Sequence, residues 1–254
     1  VNTPYTLLLD ADIELTPGML STLLRKLKAD NLDFVSMMAE LKMETFWEKL
    51  LIPAFIYFFK LVYPFAWGNS PRTRFGVAAG GCVLVRTLAL DKIGGFGAIK
   101  SAIIDDCSLA QKMKIHGFRT FIGLTRSVKS HRDYSDLSSI WNMVARSAFT
   151  QLFYSNLLLM VVTFVMLSMF VMPWLILAFD VDGWTKILCV AGLGLMTATY
   201  LPTLKFYRIN PMWALTMPII GVLYLAMTWT SAIRYWRGMR SIWKNRVYSS
   251  KEAA

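Results

Sequence analysis

Two pairs of carboxylates hold the chemistry that this sequence could perform. Asp10 and Asp12 stand one residue apart in Thr6-Leu-Leu-Leu-Asp-Ala-Asp-Ile-Glu-Leu15, directly after an apolar run. Hard oxygen ligands of this kind suit Mg²⁺ or Mn²⁺, which take one or two carboxylates and fill the remaining positions with water and phosphate oxygens. Asp105 and Asp106 form the second pair, at the head of a helix-like stretch closed by Gly117. The helix dipole favours acids there, so a purely structural role is open as well. Read together, one pair could grip a diphosphate through a metal ion. The other could take the proton of an acceptor hydroxyl, and these are the two tasks of a one-step glycosyl transfer. Arg146 could neutralise a departing diphosphate. It stands just ahead of a long apolar run and could equally snorkel to lipid headgroups.

The elements that must position these groups follow from the pattern. Leu7, Leu8 and Leu9 read as a strand buried on both faces of a parallel or mixed sheet, and open α/β sheets bind ligands beyond the carboxyl ends of their strands. Thr16-Pro17 reads as the N-cap and first position of a helix. Its inner face is Met19, Leu20, Leu23, Leu24 and Leu27. Residues 31–38 predict a strand. Gly76, Ala78, Ala79, Gly80 and Gly81 are small enough for a ligand to approach the backbone, or simply make a tight turn before a strand at 82–85. No Gly-Lys-Ser/Thr follows, which excludes a Walker loop. Residues 88–93 predict a short helix stopped by Gly94-Gly95. Residues 118–124 predict a further strand, and 137–151 a helix.

Composition divides the chain. A mean hydropathy of +0.46 with 56% hydrophobic residues is too apolar for an ordinary soluble protein. Residues 1–155 carry 18 Lys and Arg against 13 Asp and Glu, whereas residues 156–254 carry 9 against 3. The expected domains are an α/β domain over 1–155 and a membrane region over 156–254, with apolar runs at 156–179, 187–204 and 212–233. Residues 46–67, aromatic but interrupted by Pro53, Lys60 and Pro64, read as a segment lying in the membrane interface, or else as a buried core helix. The net charge of +11 clusters beside apolar runs in the second part. That arrangement points to a lipid bilayer rather than to nucleic acid. Lys205 and Arg208 mark the second connecting loop as cytoplasmic, so a third full crossing would place Arg234, Arg237 and Arg240 outside, against the positive-inside rule. Three scattered cysteines and two separated histidines indicate neither a disulfide framework nor a zinc site, and suit a reducing cytoplasm. Val1-Asn2-Thr3-Pro4 leads almost at once into a strand, which suggests a fragment of a longer chain.

The ordered set of Leu8-Leu-Asp-Ala-Asp12, Gly80-Gly-Cys-Val-Leu-Val-Arg86, Ile93-Gly-Gly-Phe96, Asp105-Asp106 with Leu109-Ala110, and Gly117-Phe-Arg119 resembles membrane-bound family 2 glycosyltransferases. It is most similar to the hopene-associated glycosyltransferases, relatives of ceramide glucosyltransferase. Arg146-Ser-Ala-Phe-Thr-Gln151 and Trp243-Lys-Asn-Arg-Val-Tyr248 extend the likeness. The resemblance implies an N-terminally truncated, Rossmann-like α/β domain of GT-A type followed by transmembrane helices. It also implies an inverting mechanism, a UDP-glucose-like donor, a lipid acceptor and a cytoplasmic catalytic face at the inner membrane. By position, Asp12 would bind the metal and Asp10 would support the metal or nucleotide. Asp106 would be the general base, Asp105 would orient base or acceptor, and Gly80 and Gly81 would line the acceptor side. Of the family's Gln/Arg-x-x-Arg-Trp motif only Arg146 matches, and the strands that hold uridine would precede residue 1. A processive polysaccharide synthase and a non-catalytic membrane scaffold or transporter component are the rival readings.

Overall fold

The structure is a computed structural model describing residues 3–100, 102, 104–243 and 246–249. In chain order the first elements are β1 (Tyr5–Leu9), β2 (Ile13–Leu15), α1 (Met19–Ala29), β3 (Phe34–Glu40), α2 (Phe46–Val62) and α3 (Phe65–Asn69). Next come β4 (Cys82–Arg86), α4 (Thr87–Lys92), α5 (Asp105–Ile115) and β5 (Thr120–Ser130). The helices α6 (Leu137–Ala145), α7 (Ala148–Gln151), α8 (Asn156–Phe170), α9 (Met172–Leu177), α10 (Gly183–Phe206) and α11 (Met217–Trp236) complete the apolar half, followed by an antiparallel pair, β6 (Met239–Trp243) and β7 (Arg246–Ser249). Contacts gather these into two compact units, one of Val1–Lys42 with Phe58–Asp133 and one of Met43–Tyr57 with Tyr134–Ala254.

Strand alternation explains the layering of the first unit. Side chains of successive strand residues point to opposite faces. Val83 and Val85 of β4, with Phe34 of β3, therefore meet Leu109, Ala110 and Met113 of α5 and Ala89 and Leu90 of α4 on one face. Cys82, Leu84 and Val35 meet Met19, Leu23 and Leu27 of α1 on the other. The result is helices on both sides of a five-stranded mixed sheet of order β1-β4-β3-β5-β2, in which only β3 and β5 run parallel.

Several expectations change here. The leucine strand β1 is not central but lies at the sheet edge, paired with β4 alone and half-buried along most of its length. Helix α1 starts at Met19, behind Gly18 at φ +81°, and not at a Thr16 cap. Thr16 is still held by the sheet, its N–H donating to the Ser127 carbonyl at 2.9 Å. The helix expected over 137–151 breaks at Arg146 into α6 and α7.

In the second unit, α2 begins with a reciprocal cap. The buried Glu48 carboxylate accepts the N–H groups of Glu44 and Thr45, both at 2.9 Å, while the Thr45 hydroxyl accepts the Glu48 N–H. Burial opposes ionisation of Glu48, but these donors hold its pKa below the usual value. The middle of α2, Leu50 to Ala54 with Ile56, is buried, whereas Phe46, Leu61, Val62 and, beyond the helix, Trp67 are exposed. Tyr224 of α11 donates to the Leu51 carbonyl at 2.8 Å, and Tyr57 lies 3.0 Å from the Thr199 hydroxyl of α10. Asn156–Leu177, Gly183–Phe206 and Pro211–Trp236 are each long and apolar enough to cross a membrane, whose core is about 30 Å thick. Pro218 and Gly221 do not interrupt the third. Pro218 sits in the first turn of α11, where its missing N–H costs nothing, and Gly221 lets α8 approach.

A Cβ at Gly221 would lie 2.5 Å from the Phe170 ring, whereas one at Gly192 of α10 meets nothing within 4 Å. Gly221→Leu is therefore expected to lower stability by about 1–3 kcal/mol, read as a fall in the thermal unfolding midpoint in detergent. Gly192→Leu should leave that midpoint within a degree or two.

Candidate active site

The Asp-x-Asp pair occupies the turn between β1 and β2, closed by the Ile13 N–H donating to the Asp10 carbonyl at 3.0 Å. The strands next to the two edges of the sheet, β4 and β5, hold its two ends. The Asp10 N–H donates to the Gly81 carbonyl at 3.2 Å, at the start of β4. On the β5 side, the Ser130 hydroxyl donates to Asp12 Oδ2 at 2.7 Å and the His131 N–H donates to the Asp12 carbonyl at 2.8 Å. Asp10 is exposed and Asp12 half-buried. Ser130 engages one carboxylate oxygen of Asp12 and fixes its direction. Among the described residues no three His, Cys, Asp or Glu side chains converge on a metal cage. The donor set nevertheless fits Mg²⁺ or Mn²⁺, because such ions rely on one or two carboxylates with substrate phosphate and water.

Asp105 and Asp106 open α5, where the first backbone N–H groups have no helical partner. Asp106 Oδ1 accepts the Cys107 N–H at 2.7 Å and Oδ2 accepts the Gly80 N–H at 2.8 Å. Asp105 is exposed, and its Oδ1 accepts the Asp106 N–H at 3.0 Å. Burial raises the Asp106 pKa to about 6, helped by the neighbouring Asp105 charge and opposed by the amides of Cys107 and Gly80. A carboxylate with that value is ionised at neutral pH yet basic enough to take a proton.

The glycine-rich segment is extended, and its alternate residues address α5 in turn. The Arg74 carbonyl accepts from Gln111 Nε2, the Gly76 N–H donates to Gln111 Oε1, the Ala78 carbonyl accepts the Cys107 thiol, and the Gly80 N–H reaches Asp106. From the other side Ala79 is paired in both directions with the Ser36 hydroxyl, at 2.8 and 2.9 Å. Smallness here serves packing. A Cβ at Gly76 would overlap the Gln111 backbone, and one at Gly81 would come within 3.2 Å of Ile13 Cδ1. Gly80 and Gly81 thereby join the two acidic groups, since the amide of one holds Asp106 and the carbonyl of the next holds Asp10.

Two residues near the site carried no signal in the sequence. Ser130 lies 118 positions from Asp12, and only strand pairing reveals it. Tyr63 neighbours Cys107 and Asp106, and burial, followed by these neighbours, raises the pKa of its hydroxyl. Arg146 is half-buried at the C-terminal end of α6, in the second unit.

A comparison with family models matches residues 2–252 to glycosyl transferase family 21. The chain belongs to glycosyl transferase family 21. The match spans nearly the whole chain, so both the acidic unit and the helical unit fall within the family. The family makes the chain a glycosyltransferase, working with a nucleotide-sugar donor and an acceptor, and among the described residues three helices are long and apolar enough to be compatible with a membrane enzyme. The comparison with curated proteins found no match.

Since the folded state raises the Asp106 pKa from 3.8 to about 6, the stability linked to this proton is full below about pH 4 and is lost as pH rises through about 6. Asp106→Asn is expected to remove that dependence. The variant should be as stable as the parent or more so at pH 8, by at most about 3 kcal/mol. Thermal unfolding at pH 5 and pH 8 checks this, and a parent midpoint that rises between those values would contradict it. Gly76→Ala should lower the midpoint at both.

Proposed function

We propose that this glycosyltransferase moves a sugar, with inversion, from a UDP-glucose-like donor to a hydroxyl of a membrane lipid at the cytoplasmic face of the inner membrane. The observation that carries this reading is the Gly80-Gly81 link, which holds a basic carboxylate and a candidate diphosphate site on consecutive residues. Helices on both faces of a mixed sheet, and an Asp-x-Asp turn at a strand end, support a GT-A type domain. Asp106 is the general base. The acceptor oxygen attacks the anomeric carbon, its proton passes to the Asp106 carboxylate, and the bond to the diphosphate breaks with its electron pair on the leaving oxygen. Asp105 orients the base or the acceptor, and the Gly80-Gly81 backbone lines the acceptor side. Asp10 and Asp12 would hold Mg²⁺ or Mn²⁺, which when bound supplies positive charge to the leaving diphosphate. A hopanoid or other isoprenoid, or a sphingolipid-like alcohol, suits the acceptor role. The apolar helices and the exposed Leu61, Val62 and Trp67 around the end of α2 support a membrane-borne acceptor.

Purified enzyme given UDP-glucose, Mn²⁺ and lipid extract should release nucleoside diphosphate. Asp106→Asn should lower kcat about 10²–10⁴-fold, with donor binding retained. The parent rate should fall on the acid side of about pH 6, the value to which burial raises Asp106, because the protonated carboxyl cannot accept a proton. Asp12→Asn should weaken the metal requirement and donor binding together. Unchanged turnover in Asp106→Asn would overturn the base assignment.

A further inference from the structure

The far end of α5 from Asp106 holds a second concentration of charge that the transfer reaction does not use. A cavity of about 270 Å³ is lined by Pro71, Arg72, Thr73, Arg74, Lys114, Ile115, Gly117, Phe118 and Arg119. Four of these are cations and none is an acid. Lys114 is 7% exposed, and its Nζ donates to the Ser70 carbonyl at 2.6 Å. A buried ammonium without a counter-charge is costly, and only burial acts on its pKa, drawing it down, with no carboxylate to hold it up. Among the described residues the side chains of Arg72, Arg74 and Arg119 make no ion pair.

The neighbouring helix end does not cancel this field. Helix C-termini repel anions through their open carbonyls, but here the carbonyls of Lys112, Met113 and Lys114 accept the N–H groups of His116, Phe118 and Gly117. Gly117 at φ +81° makes that wrapped ending possible. At 1.5 Å per residue, Lys114 stands roughly 12 Å along the helix from Asp106, so the cavity is separate from the acidic site.

We infer that this cavity binds a phosphate group, held by the forked guanidiniums of Arg72, Arg74 and Arg119 above the buried Lys114 ammonium. Planar guanidiniums match phosphate oxygens two at a time, and the lysine supplies a fixed point charge beneath them. The phosphate comes from an anionic lipid headgroup or from a soluble phosphomonoester. The exposed Ile115 at the rim is compatible with either.

The test uses the full chain in zwitterionic detergent micelles. In one arm phosphatidic acid is titrated in mixed micelles, and in the other glycerol 3-phosphate is titrated in solution. Each arm compares the parent, the triple variant Arg72→Gln, Arg74→Gln, Arg119→Gln, and a control triple of equal charge loss on α1, Arg25→Gln, Lys26→Gln, Lys28→Gln. Saturable binding in at least one arm, weakened fivefold or more by the pocket triple and less than twofold by the α1 triple, is the expected result. The arm that responds identifies the source. The pocket arginines are exposed and make no ion pair among the described residues, so this variant should fold, and an unchanged unfolding midpoint without ligand verifies it. Binding in neither arm, equal weakening by both triples, or weakening below fivefold by the pocket triple would overturn the site. So would loss of binding in Asp106→Asn, which would place the phosphate in the reaction centre instead.

Discussion

The hydrogen bond from the Gly80 amide to Asp106 is where the backbone of one element meets the candidate base of another. It exists because an extended segment lies along the first turns of α5 closely enough that Gly76 has no room for a side chain. Once that approach is made, the carbonyl and amide groups of Arg74 to Gly80 fall in register with Gln111, Cys107 and Asp106, and the following peptide reaches back to Asp10. Rigid positioning of this kind suits a transfer whose barrier is met mainly by orientation. The same contacts take water away from Asp106. Its raised pKa is thus a product of packing, while its two amide donors keep it from rising further.

The two acidic groups are treated oppositely by their surroundings. Asp106 is drawn in against amides, whereas Asp10 remains open to solvent and Asp12 keeps one oxygen beyond the reach of Ser130. An exposed pair is what a hard cation needs, since Mg²⁺ and Mn²⁺ retain water and share their ligands with substrate. A half-buried single carboxylate is what a base needs. Along the same helix the charge then reverses, from two acids at the first turn of α5 to lysines in its last turn and arginines around its end. That order complements the helix dipole and keeps the basic cavity at a distance from the acidic site.

The helical unit shows a different economy of contacts. Its long apolar helices leave many large side chains exposed, Phe164, Trp184 and Ile187 among them, which is compatible with surfaces that face lipid. Where helices do meet, small or polar groups mediate the contact. Gly221 receives Phe170, Trp229 donates to Thr163, and the Phe149 N–H donates to the Ser231 hydroxyl. In lipid, apolar area gives little drive for association, so close approach and hydrogen bonds must hold the helices together.

The sequence by itself determined the local matters. The Asp-x-Asp turn at a strand end, the acids opening a helix, the Gly117 stop and the three long apolar runs all follow from spacing and residue type. Ordered motifs were enough to point to a glycosyltransferase. The tertiary structure alone decided what depends on partners distant in sequence. The edge position of β1 could not be read from three leucines, because an edge strand and a central strand bury similar side chains and differ in which strands pair with them. The small residues of 76–81, which read equally as a ligand approach or a turn, proved to be the seat of α5. Ser130, Tyr63 and the basic cavity left no trace in the sequence, since hydroxyls and arginines occur everywhere on a chain and acquire meaning only when the fold brings them together. Local motifs are encoded by nearest neighbours, whereas the charge state of Asp106 and the direction of Asp12 are set by side chains and amides that only the folded chain places beside them.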